Sequence, residues 1–256
     1  IGNRNAAPVL IRALKKLEYR GYDSAGIAVY TGEDILVKKA KGALKNLAER
    51  ITGEIIPYKP ADKEFDACEL SLFDKTGDFV KGTLGIGHTR WATHGEPSDT
   101  NSHPHSSTDG TISIVHNGII ENYAELKAKL QAEGYVFQSQ TDTEVAAQLI
   151  AKAYKEEKDI FKAVLKVLHL IEGSYALGVV CKDYPDRIIC ARKESPLIIG
   201  LGKGENFIAS DVPAILEHTR DVYYLGEKEV AVLYTDHVDM FNFEGEKVIK
   251  EAKHVE

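Results

Sequence analysis

The order in which helical and strand-like patterns follow one another constrains the fold of this chain more than any other feature. Three helical patterns cover residues 122–133, 141–155 and 159–171, each with a capping residue at its start and one apolar face. Seven short strand-like runs follow, between Tyr175 and Phe243. Runs of helices and then runs of strands, without strict alternation, are typical of an α+β fold with mainly antiparallel sheets.

The first half of the chain shows the same mixture of patterns. Apolar residues recur at three- and four-residue spacing from Ala6 to Leu17 and predict an amphipathic helix, which Gly21 ends. The spacing of apolar residues after this helix predicts one short helix and four strands. The helix covers residues 43–51, and the strands cover residues 25–30, 35–39, 84–90 and 111–116.

Residues 52–82 contain two prolines and scattered charges and show little period, so we interpret them as an excursion without a site of its own. No internal repeat, low-complexity tract or linker divides the chain. We therefore predict one domain over residues 1–256.

Composition excludes several classes of protein. The chain carries 32 Lys and Arg against 39 Asp and Glu, a formal net charge of −7, without the basic footprint that a nucleic-acid partner requires. No apolar run approaches the roughly 18 to 20 residues that cross a bilayer, so we predict no membrane span. Cys68, Cys181 and Cys190 are odd in number and form no C-x-x-C pair, which favours free thiols and a cytoplasmic location.

Five of the nine histidines lie between positions 88 and 116, a density that suggests a metal site. Zinc sites, however, use close pairs such as H-x-x-x-H on a helix, or cysteine pairs, and neither is present. His103 and His105 flank Pro104 in a loop, and we expect their side chains to project to opposite sides. We therefore predict neither a metal site nor a cofactor.

Three polar segments, residues 87–97, 115–122 and 141–144, carry the groups that an α-amino acid requires. Arg90 can bind a carboxylate with a bidentate fork, and Asp142 can pair with an ammonium group. Asn117 and Gly118 offer a side-chain amide and a backbone N–H, the two donors that a developing oxyanion needs. The agreement of these signals on one ligand favours an amino-acid site.

Each of these signals also has a structural alternative. Arg90, at a strand end, suits an ion pair. The dipeptide Asn117-Gly118 is the strongest short signal for a hairpin turn. Asp142 lies within Thr141-x-x-Glu144, a capping box, where the helix dipole favours an acid whatever its function.

Longer runs of the sequence resemble one known family. They are LEYRGYDSAG from Leu17, HTRWATHG from His88, NSHPH from Asn101, HNGIIEN from His116 and TDTE from Thr141. These runs are similar to the glutaminase domain of the isomerising glutamine:fructose-6-phosphate aminotransferases, which are class II glutamine amidotransferases. The resemblance covers nearly the whole chain, and its long ungapped motifs are highly specific.

The resemblance implies a four-layer αββα sandwich of the N-terminal-nucleophile hydrolase type. It implies that an N-terminal cysteine, with its own α-amine as the base, attacks the side-chain amide of glutamine. Asn117 and Gly118 would form the oxyanion hole, Arg90 would hold the α-carboxylate, and Asp142 the α-amine. The remaining implied residues are Thr93 and His94 in the pocket, Trp91 as a gate to an ammonia channel, and Arg20 as a supporting residue.

In the family the nucleophile belongs to an N-terminal strand, and Ile1-Gly2 resembles the end of that strand. We therefore expect the nucleophile strand and a downstream sugar-phosphate isomerase domain to lie outside these residues, which alone would be inactive. The resemblance implies a full-length homodimer that supplies ammonia for glucosamine-6-phosphate synthesis from fructose-6-phosphate, in hexosamine biosynthesis. The alternative is a non-catalytic glutamine-binding module, if the protein truly begins at Ile1.

Overall fold

A computed structural model describes residues 1–55, 63–91 and 95–256. Its helices are α1 (Ala6–Lys15), α2 (Leu44–Thr52), α3 (Lys63–Phe79), α4 (Tyr123–Ala132), α5 (Asp142–Glu157) and α6 (Ile160–Leu168). Its strands are β1 (Ser24–Tyr30), β2 (Ile35–Lys41), β3 (Leu84–Arg90), β4 (His105–Ser106), β5 (Ile112–Ile120), β6 (Gly173–Cys181), β7 (Ile188–Lys193), β8 (Ile198–Leu201), β9 (Asn206–Ala209), β10 (Asp221–Tyr224), β11 (Glu229–Leu233), β12 (Val238–Asn242) and β13 (Lys253–His254). Among the helices of these three ranges, none combines the length and apolarity that a bilayer crossing requires.

The strands form three antiparallel sheets. A three-stranded sheet has the order β2-β1-β3, and a four-stranded sheet has the order β13-β10-β8-β9. The third sheet has six strands in the order β12-β11-β7-β6-β5-β4. This confirms the predicted α+β class with antiparallel sheets.

The period of two along each strand places side chains into two different cores. Ile27 and Val29 of β1 pack with the first three helices, whereas Ala28 between them packs against the six-stranded sheet. In β6, Leu177 packs toward α4, α5 and α6, and its neighbour Ala176 packs into the core between the sheets. Helices α1, α2 and α3 therefore cover one face of the three-stranded sheet, and α4, α5 and α6 cover one face of the six-stranded sheet. The αββα order expected from the resemblance is confirmed.

The three consecutive helices of the middle region and the seven strands after them are confirmed, but one capping prediction is wrong. Side-chain oxygens of Thr141 and Asp159 cap the first turns of α5 and α6. Asn122 makes no such cap on α4. Its amide instead donates to the carbonyl of Leu170 and accepts from the N–H of Glu172, which ties the start of α4 to the segment after α6.

The interpretation of residues 52–82 as an excursion is also wrong, because α3 occupies much of this segment. Leu72, Phe73 and Val80 are buried against α1 and α2. Charged residues interrupt this narrow apolar stripe, so its helical period is weak in the sequence. Residues 56–62 of the same segment lie outside the described residues.

Candidate active site

A cavity of about 450 Å³ lies between the edge strands of two sheets. Strand β3 ends the three-stranded sheet, β9 ends the four-stranded sheet, and residues of both line the cavity. Ile1 joins these edges, because it exchanges two backbone hydrogen bonds with Asn206, with N···O distances of 2.9 and 2.8 Å. On the other side, the N–H of Gly2 donates to the carbonyl of Thr83 at 3.1 Å.

Most of the residues that the sequence marks as a candidate site line this one cavity. They are Arg20, Arg90, Trp91, Asn117, Gly118 and Asp142. Thr93 and His94 lie outside the described residues. Four different parts of the chain, between Arg20 and Asp142, therefore meet around one space.

The alternative that Asn117 and Gly118 form a hairpin turn is wrong. Both lie within β5, paired with Ala176 and Tyr175 of β6. Gly118 has a φ of +120°, and a Cβ at this position would lie 2.0 Å from the carbonyl oxygen of Ser174. Only glycine allows this backbone, so the Asn-Gly pair marks a distorted, solvent-exposed point of a strand.

Arg90 is the last residue of β3 and is buried at the cavity wall. Its Nη2 donates to the carbonyl of Gly95 at 3.0 Å. Desolvation lowers the pKa of Arg90, and the negative charges of Asp23 and Asp142 oppose that shift. A guanidinium keeps its charge under such conditions, so the cavity wall carries a fixed positive group near two carboxylates.

Asp142 is buried at the start of α5 and contacts the strand that carries Gly118. Its Oδ2 accepts the backbone N–H of Ile120 at 2.8 Å and lies 3.9 Å from Nδ1 of His116. The carboxylate therefore ties α5 to β5 two residues after Gly118. It also brings a negative charge to the cavity, near enough to interact with the guanidinium of Arg90.

The capping-box interpretation of this helix start is only half right. Thr141 caps α5 by accepting from the N–H of Glu144. Glu144 does not reach back to Thr141: its carboxylate accepts from the backbone N–H groups of Gln138 and Ser139, at 2.9 and 2.6 Å. Asp142 takes no part in these contacts: its carboxylate accepts from the N–H of Ile120, and the residue lines the cavity.

Four histidines that sequence reasoning left without a role lie together at the cavity. His88, His103 and His116 line it, and His105 lies behind them. The rings of His88 and His103 stack at 4.2 Å, and those of His103 and His105 meet edge to face at 4.9 Å. The expectation that His103 and His105 project to opposite sides is wrong: their rings are in contact, and residues two apart in an extended segment lie on the same face. The sequence signal for this cluster is the density of histidines in residues 88–116.

Desolvation lowers the pKa of each of these histidines, to about 4 for His88, so the rings are neutral near pH 7. His103 and His116 contact the hydroxyl of Thr143, at 3.4 and 3.0 Å. His105 contacts the hydroxyl of Thr141 at 3.1 Å. Over the described ranges, no group of three or more His, Cys, Asp or Glu is arranged to hold a metal ion.

No cysteine of this chain is placed to act in the cavity. The described residues that line it include none of the three cysteines, Cys68, Cys181 and Cys190. Burial raises the pKa of Cys181 to about 11 and that of Cys190 to about 12, which keeps both thiols protonated. Cys68 lies on the exposed side of α3.

Trp91 and Arg20 lie at the mouth of the cavity. The side chain of Trp91 is 68% exposed, and its ring would come within 2.9 Å of a Cβ at Gly21, where φ is +72°. Arg20 donates to Oγ of Ser210 at 2.9 Å and to the carboxylate of Asp211 at 2.7 Å. The segment after α1 is thereby connected to the segment after β9, across the same opening.

The fold and this cavity define a class of protein. Residues 88–217 match the family described as the glutamine amidotransferase domain, and the chain belongs to that family. Two solved structures share the fold, with TM-scores of 0.71 and 0.72, 25% sequence identity, and coverage of 94% of this chain and 48% of theirs. One is a glutamine phosphoribosylpyrophosphate amidotransferase from B. subtilis with ADP and GMP, and the other is described as the allosteric regulatory enzyme of purine biosynthesis. This is the N-terminal-nucleophile hydrolase fold.

The chain is also similar to curated proteins named glutamine–fructose-6-phosphate aminotransferase (isomerising). It is 54% identical over 250 residues to the protein of Caldanaerobacter subterraneus, with 98% of this chain covered. It is 49% identical over 255 residues to that of Clostridium tetani and 46% identical over 256 residues to that of Thermus thermophilus. The chain spans 37% to 38% of the length of these relatives.

Proposed function

We propose that this domain hydrolyses the side-chain amide of glutamine, and that the protein containing it uses the ammonia to convert fructose 6-phosphate into glucosamine 6-phosphate. One observation carries the first part of this proposal. Arg90, Asp142 and the Asn117-Gly118 pair, far apart in the sequence, all line one cavity. The names of the relatives support the second part.

In this proposal the charges at the cavity wall bind the backbone end of glutamine. The guanidinium of Arg90 holds the α-carboxylate, and the carboxylate of Asp142 holds the α-ammonium group. These two contacts direct the glutamine side chain along the cavity toward β5. There the amide of Asn117 and the N–H of Gly118 donate to the oxygen that becomes negative when the carbonyl is attacked.

The nucleophile in this proposal is a cysteine thiol on a strand that precedes Ile1. Three features support that position: Ile1 pairs with Asn206, Gly2 pairs with Thr83, and the cavity continues between β3 and β9. An α-amine has a pKa of about 7.7 to 8.0, so an N-terminal cysteine can pass its thiol proton to its own amine. The thiolate adds to the carbonyl, ammonia leaves with a proton, and water then hydrolyses the γ-glutamyl thioester to glutamate.

The remaining predicted residues receive roles around this reaction. Trp91, at the exposed mouth, would control the opening through which ammonia leaves. Thr93 and His94 would complete the glutamine pocket, and Arg20 would hold the mouth in place through Ser210 and Asp211. We further propose a full-length, cytoplasmic homodimer in which a sugar-phosphate isomerase domain follows this one.

Glutamate release from glutamine by the natural full-length protein tests the proposed hydrolysis. We expect steady release that asparagine, one methylene shorter, does not support. The alternative, a non-catalytic glutamine-binding module, predicts that glutamine binds to the protein without release of glutamate. That second result would contradict the proposal.

A further inference from the structure

His88 and Asn117 are joined by a hydrogen bond that crosses from one sheet layer to the other. Nε2 of His88 lies 2.7 Å from Oδ1 of Asn117. His88 belongs to β3 and Asn117 to β5, so the contact depends on how the two sheets stack. Both residues line the cavity.

We propose that His88 is a positioning residue: its Nε2–H donates to Oδ1 of Asn117 and thereby turns the Asn117 NH2 group toward the oxyanion. This inference rests on the proposed function, since it concerns the same reaction. The carbonyl and NH2 arms of a primary amide point in different directions, and the last torsion of asparagine has two broad minima. A donor fixed on the carbonyl arm selects the one minimum that presents N–H groups to the substrate.

The surroundings of His88 keep its ring neutral and fixed in orientation, as this role requires. Desolvation lowers the pKa of His88 to about 4, although the hydrogen bond to Asn117 opposes the shift. The ring is therefore neutral near pH 7 and carries one N–H. Stacking on His103, with a centroid distance of 4.2 Å and an angle of 19°, fixes the plane of the ring and so the direction of that N–H. Asn117 is thus held in place before substrate arrives, as electrostatic catalysis requires.

A hydrogen bond in the opposite direction, from Asn117 to His88, would have the same distance between the heavy atoms but a different consequence. If Nε2 of His88 carried no proton, the NH2 of Asn117 would donate to it, and the carbonyl arm of Asn117 would face the cavity. A carbonyl oxygen repels a developing oxyanion, so this arrangement would oppose the reaction.

Nitrogen-15 spectra of the His88 ring distinguish the two arrangements without any assay of activity. We expect the chemical shifts of a neutral ring protonated at Nε2, with a hydrogen-bond coupling toward Asn117. A ring protonated at Nδ1 would overturn the inference, whether or not the domain hydrolyses glutamine.

Kinetics of glutamate release by the full-length protein test the consequence. His88→Phe keeps a flat ring for the stack on His103 and removes the N–H. We expect kcat to fall about 10- to 100-fold with KM nearly unchanged, because the contact matters only when the oxyanion forms. His88→Gln places an amide N–H near the former Nε2 and should restore most of kcat, which a purely structural role for the ring would not explain.

A double-mutant cycle and a matched control complete the test. Asn117→Ala should lower kcat by about 10²- to 10³-fold, and His88→Phe should then have little further effect. His105→Phe alters the same cluster away from the cavity lining and should lower stability but leave kcat unchanged. An active wild type with equal kcat in His88→Phe overturns the positioning role alone. A wild type without glutaminase activity overturns the proposed function, and the nitrogen-15 spectra then decide on His88.

Discussion

Replacing Asp142 by asparagine separates its possible contributions, because the change removes a charge and keeps the shape. The asparagine Oδ1 can still accept the N–H of Ile120, which Asp142 now accepts at 2.8 Å. A hydrogen bond to a charged group is worth about 1.5 to 3 kcal/mol and a neutral one about 0.5 to 1.5. The free energy of unfolding should therefore fall by about 1 kcal/mol, and the fold should persist.

The effect on glutamine is expected to be larger. If the carboxylate pairs with the α-ammonium group in the partly desolvated cavity, its loss removes a charge-assisted contact. That contact is worth about 1.5 to 3 kcal/mol, which corresponds to a decrease in affinity of about ten- to a hundredfold. If Asp142 only favours the helix dipole, the variant should lose about 0.3 to 1 kcal/mol of stability and keep its affinity.

Calorimetric titration of glutamine, combined with thermal unfolding, distinguishes these outcomes. Glu144→Gln is the matched control, because Glu144 is a buried carboxylate of the same helical turn that holds Gln138 and Ser139 outside the cavity lining. We expect the control to lower stability without changing glutamine affinity. Unchanged affinity in Asp142→Asn, or an equal loss of affinity in both variants, would refute the assignment of Asp142 to the α-amine.

Three further predictions follow from the described contacts. Gly118→Ala should lower the free energy of unfolding in urea by about 2 to 4 kcal/mol and abolish glutamate release, because its Cβ would lie 2.0 Å from a carbonyl oxygen. The control Gly134→Ala, at φ +92° with no atom within 4 Å, should lower it by only about 1 kcal/mol. Arg90→Lys should weaken glutamine binding about tenfold in calorimetry, since lysine lacks the bidentate fork, and unchanged affinity would contradict that role. Stability should be greatest above about pH 6.5 and fall as the pH drops toward 4, because the four buried histidines bind fewer protons in the folded than in the unfolded protein. The share of His88, with a folded pKa lowered to about 4, amounts to about 3 kcal/mol in acid denaturation titrations. The same pH profile in His88→Phe would contradict this attribution.

Sequence pattern predicted most elements of this fold, because most helices bury one face and strands such as β1 and β6 are apolar runs buried on both faces. The middle helices and the strands after them, such as β6 with alternate packing of Ala176 and Leu177, illustrate this. Helix α3 escaped prediction because its buried stripe, with Leu72 and Phe73, lies among charged residues. The order of the layers came from the family resemblance, since periodicity does not say which faces pack together.

In the candidate site, the sequence could predict some residues but not the contacts between them. Residue chemistry alone marks Arg90 and Asp142 as candidates, because a guanidinium and a carboxylate suit the two ends of an amino acid, and both residues line the cavity. The contact between His88 and Asn117 could not be predicted, because it joins strands of two sheets whose relative position no local pattern encodes. The Asn117-Gly118 pair even favoured a turn, and only the carbonyl of Ser174 explains why the strand needs glycine there.

Labelling of the full-length protein with a glutamine analogue tests the central claim most directly. The analogue carries a diazoketone in place of the side-chain amide, and peptide mass mapping locates the cysteine that it alkylates. We predict one label, on an N-terminal cysteine upstream of Ile1, with protection by excess glutamine and slower labelling in Asp142→Asn. A label on Cys68, Cys181 or Cys190, or labelling that glutamine does not slow, would contradict the account.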